Sequence, residues 1–372
     1  MKKSQLILGL VVLAAIAALV VWGHNRIHFD FADFRSQLAL ADWGKIGVAT
    51  GCIYLGYMFR SVRWALLLRH NKKVPLLSLL GTQVMGFTAV ALIGRVADPV
   101  RPYLVSKKTG LPLSSQIAVY IVERLFDAGS MALIFSVAVL WVPQPDVAKA
   151  AAHLGVLSAL AQRFPFMADF VARDGGLVLT LLGALFLVAV RISGGAVATI
   201  FERVFGVFSK KLGAAVGDKV RSFRTGLDTM RSFSDFAATT SLSVGMWLLI
   251  AFAYLETMRA FTASPELASM TVPKCVLLMV VSGGASIIQL PVIGWFTQIG
   301  LVMAALSGFF GVAPEPAMAC GATLLLVTFL SVVPVGLIWA QFEHVSLRRV
   351  AEESEHASEE LAGEPASEIP LD

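Results

Sequence analysis

Long apolar blocks alternate with short polar connections along the whole chain. The blocks occupy residues 6–22, 46–59, 76–93, 116–141, 177–190, 242–257, 276–290, 296–310 and 317–339. A helix that crosses a bilayer needs roughly 20 predominantly apolar residues, or about 17 at the short end. The pattern therefore predicts an all-α polytopic membrane protein. Two stretches depart from simple crossing. The block at 76–93 runs into Gly94, Pro99 and Pro102, and the blocks at 276–290 and 296–310 are short and joined through Pro291 and Gly294. Glycine and proline stop helices, so each stretch reads as a helical hairpin that turns inside the membrane.

Charge sets the expected orientation, because basic loops stay in the cytoplasm. Lys2 and Lys3 place the N-terminus inside. Lys72 and Lys73, the eight basic residues between Arg191 and Arg231, and Arg348 with Arg349 mark further inner connections. Lys107 and Lys108 would fall outside if residues 76–93 crossed completely; a re-entrant hairpin returns them to the cytoplasm. The expectation is six full spans plus two re-entrant hairpins in pseudo-inverted halves, with both termini cytoplasmic in a bacterial inner membrane. Eight or more full spans is the alternative. Broken helices in matching places of two inverted halves point to a transporter binding site.

Composition narrows the picture. At 57% hydrophobic and 15% charged residues, the chain lies far from the ~25% charged residues of soluble domains, which excludes a water-soluble fold. The transmembrane domain is expected over residues 1–341, opening on a retained signal anchor. From Glu343 onward nine acids face only Arg348 and Arg349, and residues 342–372 read as a disordered acidic cytoplasmic tail. The body then carries 28 basic against 16 acidic residues, a net +12, which favours anionic lipid headgroups. Within 196–233, apolar residues from Ile200 to Met230 recur at helical spacing, with Lys210, Lys211, Lys219, Arg221 and Arg224 largely off the stripe. That is an amphipathic helix on anionic lipid at the cytoplasmic face, although a plain connector fits the same pattern.

Six charges sit where lipid or protein interior should be: Arg95, Asp98, Arg101, Glu123, Arg124 and Asp127. An ionised side chain at the bilayer centre costs at least ~2.5–3.5 kcal/mol, so such residues face inward and mark a pathway. Tyr120, Glu123, Asp127 and Ser130 share one helical face. Arg60, Arg63 and Trp64 add cations and an aromatic anchor at the inner end of the second block. Arginine grips phosphate with a planar fork, so the set reads as a headgroup-phosphate site. Mutual pairing that merely stitches two helices is the bland alternative. The six charges sum to zero, so an incoming phosphate would favour protonation of Glu123 or Asp127. No P-loop, metal pair or nucleophile signature is present, no cofactor or nucleic acid is implied, and His24 with His28 makes a poor metal site.

The runs Arg60-Ser61-Val62-Arg63-Trp64, Gly94-Arg95-Val96-Ala97-Asp98-Pro99-Val100-Arg101-Pro102 and Val122-Glu123-Arg124-Leu125-Phe126-Asp127 together resemble the membrane domain of the lysylphosphatidylglycerol synthase/flippase-like family. Pro291-Val292-Ile293-Gly294 followed by Gln298 is similar to that family's second, glycine-rich motif. With no aminoacyl-transferring domain in view, the resemblance implies lipid translocation or related lipid handling, not lipid aminoacylation. The expected function is a flippase-like translocase for an anionic or polyprenyl-linked lipid. Arg95 and Arg101 would hold the phosphate, Asp98 orient them, and Glu123 and Asp127 line the path with Arg124 as counter-ion. Pro291, Gly294 and Gln298 would form the opposing gate. An intramembrane glycosyl or phosphoryl transferase, or a scaffold partnering envelope-lipid synthesis, are the rivals.

Overall fold

The computed structural model describes residues 30–69, 72–139, 141, 199, 203, 233–285, 293–346 and 349–354. The anchor at 6–22, the block at 177–190, the amphipathic segment at 196–233 apart from residues 199, 203 and 233, Pro291 and the tail beyond 354 lie outside the described residues. Every regular element among the described residues is helical, as expected where no water can satisfy a backbone exposed to lipid. Large apolar side chains such as Trp43, Val48, Leu133, Phe252 and Ile338 point outward. That surface suits acyl chains and would be a liability in water.

Helix α1 (Phe31–Leu40) lies in a stretch read as a plain connection. Asp30 starts it by accepting hydrogen bonds from the Ala32 and Asp33 amides. Asp42 caps α2 (Trp43–Leu68) in the same way through Gly44 and Lys45. At 26 residues, α2 is about 39 Å long, enough to cross a ~30 Å hydrocarbon core. Helix α3 (Leu76–Ile93) ends at Gly94, whose φ of 92° is open to glycine and costly for other residues. A 3₁₀ turn at Arg95–Ala97 leads into α4 (Val100–Thr109), and Leu113–Val139 forms α5.

The second half begins with α6 (Phe233–Arg259), antiparallel to α2. The Asp42 amide donates to the Ala260 carbonyl at 2.8 Å at one end of the pair, and Arg69 pairs with Asp235 at the other. After a single turn at Pro265–Ala268 come α7 (Val272–Ala285), α8 (Ile293–Phe310) and α9 (Pro314–Leu325). A π turn at Leu326–Leu330 joins α9 to α10 (Val332–Phe342). Just beyond it, Tyr54 donates to Ser331 O at 2.9 Å and Thr88 to Val332 O at 3.2 Å, which ties the start of α10 to α2 and α3.

Contacts at the two ends show where each hairpin opens. Lys72 Nζ donates to Thr109 O at 2.5 Å and Lys108 Nζ to Ser78 O at 3.3 Å, so α4 returns to the end where α3 began, beside the Arg69–Asp235 pair. In α7–α8, Lys274 Nζ lies 5.3 Å above the Phe310 ring, and Arg259 Nε donates to Met270 O at 3.0 Å. That hairpin opens at the opposite end, beside Ala260. Single cysteines at the exposed positions Lys107 and Ala263, in a background without Cys52, Cys275 and Cys320, are therefore expected to react from opposite sides of the membrane. Labelling of both from one side would overturn this arrangement.

The start of the acidic tail differs from the disordered expectation. Residues 349–354 are helical, and Val350 and Ala351 pack with Val100 and Leu104 of α4 and Met85 of α3. Glu353 accepts from Tyr103 Oη at 2.8 Å and Lys107 Nζ at 2.9 Å, and Glu343 from Lys108 Nζ at 2.6 Å. Apolar anchoring and acid–base matching to α4 order this stretch, and composition alone hides both.

Candidate functional site

Arg60 and Arg63, three apart on α2, project from one face of that helix. They stand eight and five residues before Leu68, roughly 12 and 8 Å inside the helix end. Both are buried, and so is Trp64, which donates to Gln116 Oε1 at 3.3 Å; all three are interior groups, and Trp64 is not the interfacial anchor expected of it. On α5 the same spacing rule brings Tyr120, Glu123, Arg124 and Asp127 toward them. Helix α4 supplies Arg101, 1% exposed, at a place where α3 is thinned to glycine. A β-carbon on Gly86 would collide with Arg101 Cγ, so only glycine lets α4 lie this close.

These elements assemble one ion cluster. Glu123 Oε1 is ion-paired with Arg124 Nη2 at 2.5 Å, Arg63 Nη2 at 3.1 Å, Arg101 Nη1 at 3.2 Å and Arg60 Nη1 at 3.4 Å. Asp127 receives Arg63 Nη1 at 2.6 Å, Arg124 Nη2 at 3.0 Å and Arg60 Nη1 at 3.3 Å. Arg63 also donates to Ser243 Oγ of α6 at 2.6 Å, and Arg101 to Gln83 Oε1 of α3 at 3.3 Å. Five helices are thereby tied together. The Arg101 guanidinium is stacked between the rings of Phe87 (4.5 Å) and Tyr120 (4.9 Å), while Arg60 lies 5.0 Å from Phe87. Such cation–π contacts strengthen when water is excluded.

Among the described residues, the cluster contains four arginines and two carboxylates. Arginine stays charged in proteins, so the balance is +2, and protonating either acid would only raise it. Several donors still have no acceptor: Nε of Arg63, Arg101 and Arg124, and the amide nitrogens of Gln83 and Gln116, are all buried and unpartnered. Glu123 Oε2 is likewise buried without a donor. Arg124, with 36% of its side chain exposed, and Arg60, with 10%, are the cluster's most open members. The site thus has an excess of cation and of N–H groups, the chemistry that an oxyanion satisfies.

Of the residues picked from sequence, Arg60, Arg63, Arg101, Glu123, Arg124 and Asp127 come together. Arg95 and Asp98 instead form their own ion pair at the hairpin tip, 3.7 Å apart and 44% and 24% exposed. This exchange of Arg95 and Asp98 for Arg60 and Arg63 replaces the expected neutral set with a cationic one. The premise for phosphate-driven protonation of Glu123 or Asp127 goes with it. Gly294 and Gln298 are buried in the opposite hairpin, where Gln298 Nε2 and Tyr254 Oη meet Ser282 Oγ at 3.2 and 3.0 Å. Sequence reasoning missed Gln83, Gly86 and Phe87, which share a helical face and were detectable as a polar and a small residue inside an apolar block. Ser243 carries no such signal.

No curated protein and no solved structure matches this chain. The family model described as the lysylphosphatidylglycerol synthase TM region matches residues 6–338, and with nearly the whole body of the chain covered, the protein belongs to that family of lipid-associated membrane proteins.

Proposed function

We propose that this protein is a lipid translocase whose charged cluster receives the phosphate of a lipid headgroup from the cytoplasmic leaflet. The observation that carries this reading is the set of four arginines around two carboxylates, deep between membrane helices, with donors and positive charge in surplus. A purely structural network would be expected to balance, because uncompensated buried charge costs several kcal/mol. A transferase would need a carboxylate free to act as base, whereas Glu123 and Asp127 are each held by at least three arginines. The α7–α8 hairpin, opening on the other face around Ser282 and Gln298, serves as the second gate. Basic residues in 196–233 are expected to bind anionic lipid.

Arg101→Lys tests the reading, because it keeps the charge and loses the planar fork and the stacking on Phe87 and Tyr120. In proteoliposomes, movement of a fluorescent anionic lipid between leaflets is expected to fall about tenfold or more, roughly the loss of one charge-assisted hydrogen bond. Folded yield should stay near the parent's. Unchanged transport by this variant would remove the phosphate-grip role from Arg101.

A further inference from the structure

The charge balance of the cluster also bears on which phosphate it takes. We propose that the site selects a terminal, doubly charged phosphate, a phosphomonoester or a diphosphate, over the singly charged phosphodiester of an ordinary glycerophospholipid. This rests on the reading that the cluster holds a lipid phosphate. Arg60 and Arg63 from α2, Arg101 from α4, and Glu123, Arg124 and Asp127 from α5 sum to +2. Among the described residues, the flanking groups from α3 and α6 are the neutral Gln83 and Ser243, with Tyr57 and Tyr120 as phenols. Arg69 with Asp235 and Arg95 with Asp98 form ion pairs outside the cluster. A phosphodiester would leave one buried positive charge uncompensated, whereas the two charges of a terminal phosphate group close the balance.

Access gives an independent argument. Arg63, Arg101 and Glu123 have side chains at most 1% exposed, and only Arg124 is substantially open. A phosphodiester continues on both sides of phosphorus and needs two ways out of the protein. A terminal phosphate has one substituent and enters through one opening, presenting its free oxygens to the unpartnered Nε donors of Arg63, Arg101 and Arg124. Glu123 Oε2 is the counter-argument, since it would accept a hydrogen from a singly protonated phosphate; the pH dependence decides between the two.

The test uses the full chain in phosphatidylcholine nanodiscs, titrated with dioleoyl phosphatidic acid, dioleoyl phosphatidylglycerol, farnesyl diphosphate and inorganic diphosphate at pH 5 and pH 8. A phosphomonoester loses its second charge below about pH 6. Phosphatidic acid is expected to bind about tenfold or more tightly than phosphatidylglycerol at pH 8, from one extra charge in a low-dielectric site, and the gap should close at pH 5. Farnesyl diphosphate should bind tightly and inorganic diphosphate weakly. Arg101→Gln should weaken all of them and shrink the preference. Equal affinity for the two glycerolipids at pH 8, still lost in Arg101→Gln, would overturn the dianion preference and leave the phosphate site standing. Stronger phosphatidic acid binding at pH 5 would overturn it as well, in favour of a hydrogen donated to Glu123. Binding that ignores Arg101→Gln would overturn both readings. Inorganic diphosphate matching farnesyl diphosphate would overturn the lipid assignment.

Discussion

Arg63→Ala is expected to have the largest effect of any single substitution, lowering stability by roughly 3–5 kcal/mol and abolishing phosphate-lipid binding. Arg63 reaches Glu123, Asp127 and Ser243 at once, so it joins α2, α5 and α6 through one guanidinium. Removing one member of a buried ion pair leaves its partner charged and unsolvated, which is the source of the penalty. Loss of function alone would not separate a ligand site from a structural stitch, so a compensated variant is needed. Arg63→Ala combined with Asp127→Ala removes the pair together and keeps the cluster at +2. Thermal unfolding in detergent is expected to show most of the lost stability restored, because no orphaned carboxylate remains. Binding of dioleoyl phosphatidic acid should stay weak, because the fork between α2 and α5 is gone. If affinity returns along with stability, Arg63 serves the fold and the remaining arginines hold the phosphate without it.

The contrast between Arg63 and Arg95 shows where a sequence stops being informative. Residues 95, 98 and 101 sit at intervals of three, which on a continuous helix would make one face. The 3₁₀ turn and Pro99 break the chain between them, so Arg95 and Arg101 belong to different elements and face different surroundings. Arg60 and Arg63 pose the reverse problem. An arginine near a span end can extend its head to the interface or turn inward, and periodicity is the same for both. Only the acids arriving on α5 decide it. What was legible is also specific: the bounds of α3, the stop at Gly94, and the polar stripe of Tyr120, Glu123 and Asp127 follow from local rules. The Asp30 cap with Phe31, Phe34 and Leu38 at helical spacing carried the signal for α1 in a segment whose charge reads as loop. In the tail, Val345, Val350 and Ala351 are too few to stand out against nine acids, yet they suffice to dock on α4.

Gly86→Ala should separate geometry from charge more cleanly than any arginine substitution, because every member of the cluster remains. The added methyl meets the Arg101 side chain along its Cβ–Cγ–Cδ stem, which is anchored at one end by α4 and at the other by Glu123 and Gln83. The stem cannot swing aside without dropping those contacts, so α4 must move away from α3 or Arg101 must leave the cluster. Overpacking of this kind costs typically ~1–3 kcal/mol. Helix α3 partly recovers it, since alanine is the better helix former by roughly 0.8–1.0 kcal/mol. The expected outcome is a folded protein of modestly lower thermal stability whose affinity for dioleoyl phosphatidic acid falls about tenfold or more. Gly129→Ala on α5 is the matched control: its β-carbon meets nothing within 4 Å, and both stability and affinity should stay at or above the parent's. If Gly86→Ala binds the lipid normally while Arg101→Gln does not, Arg101 acts through long-range charge. The close approach of α4 to α3 would then be incidental to the site.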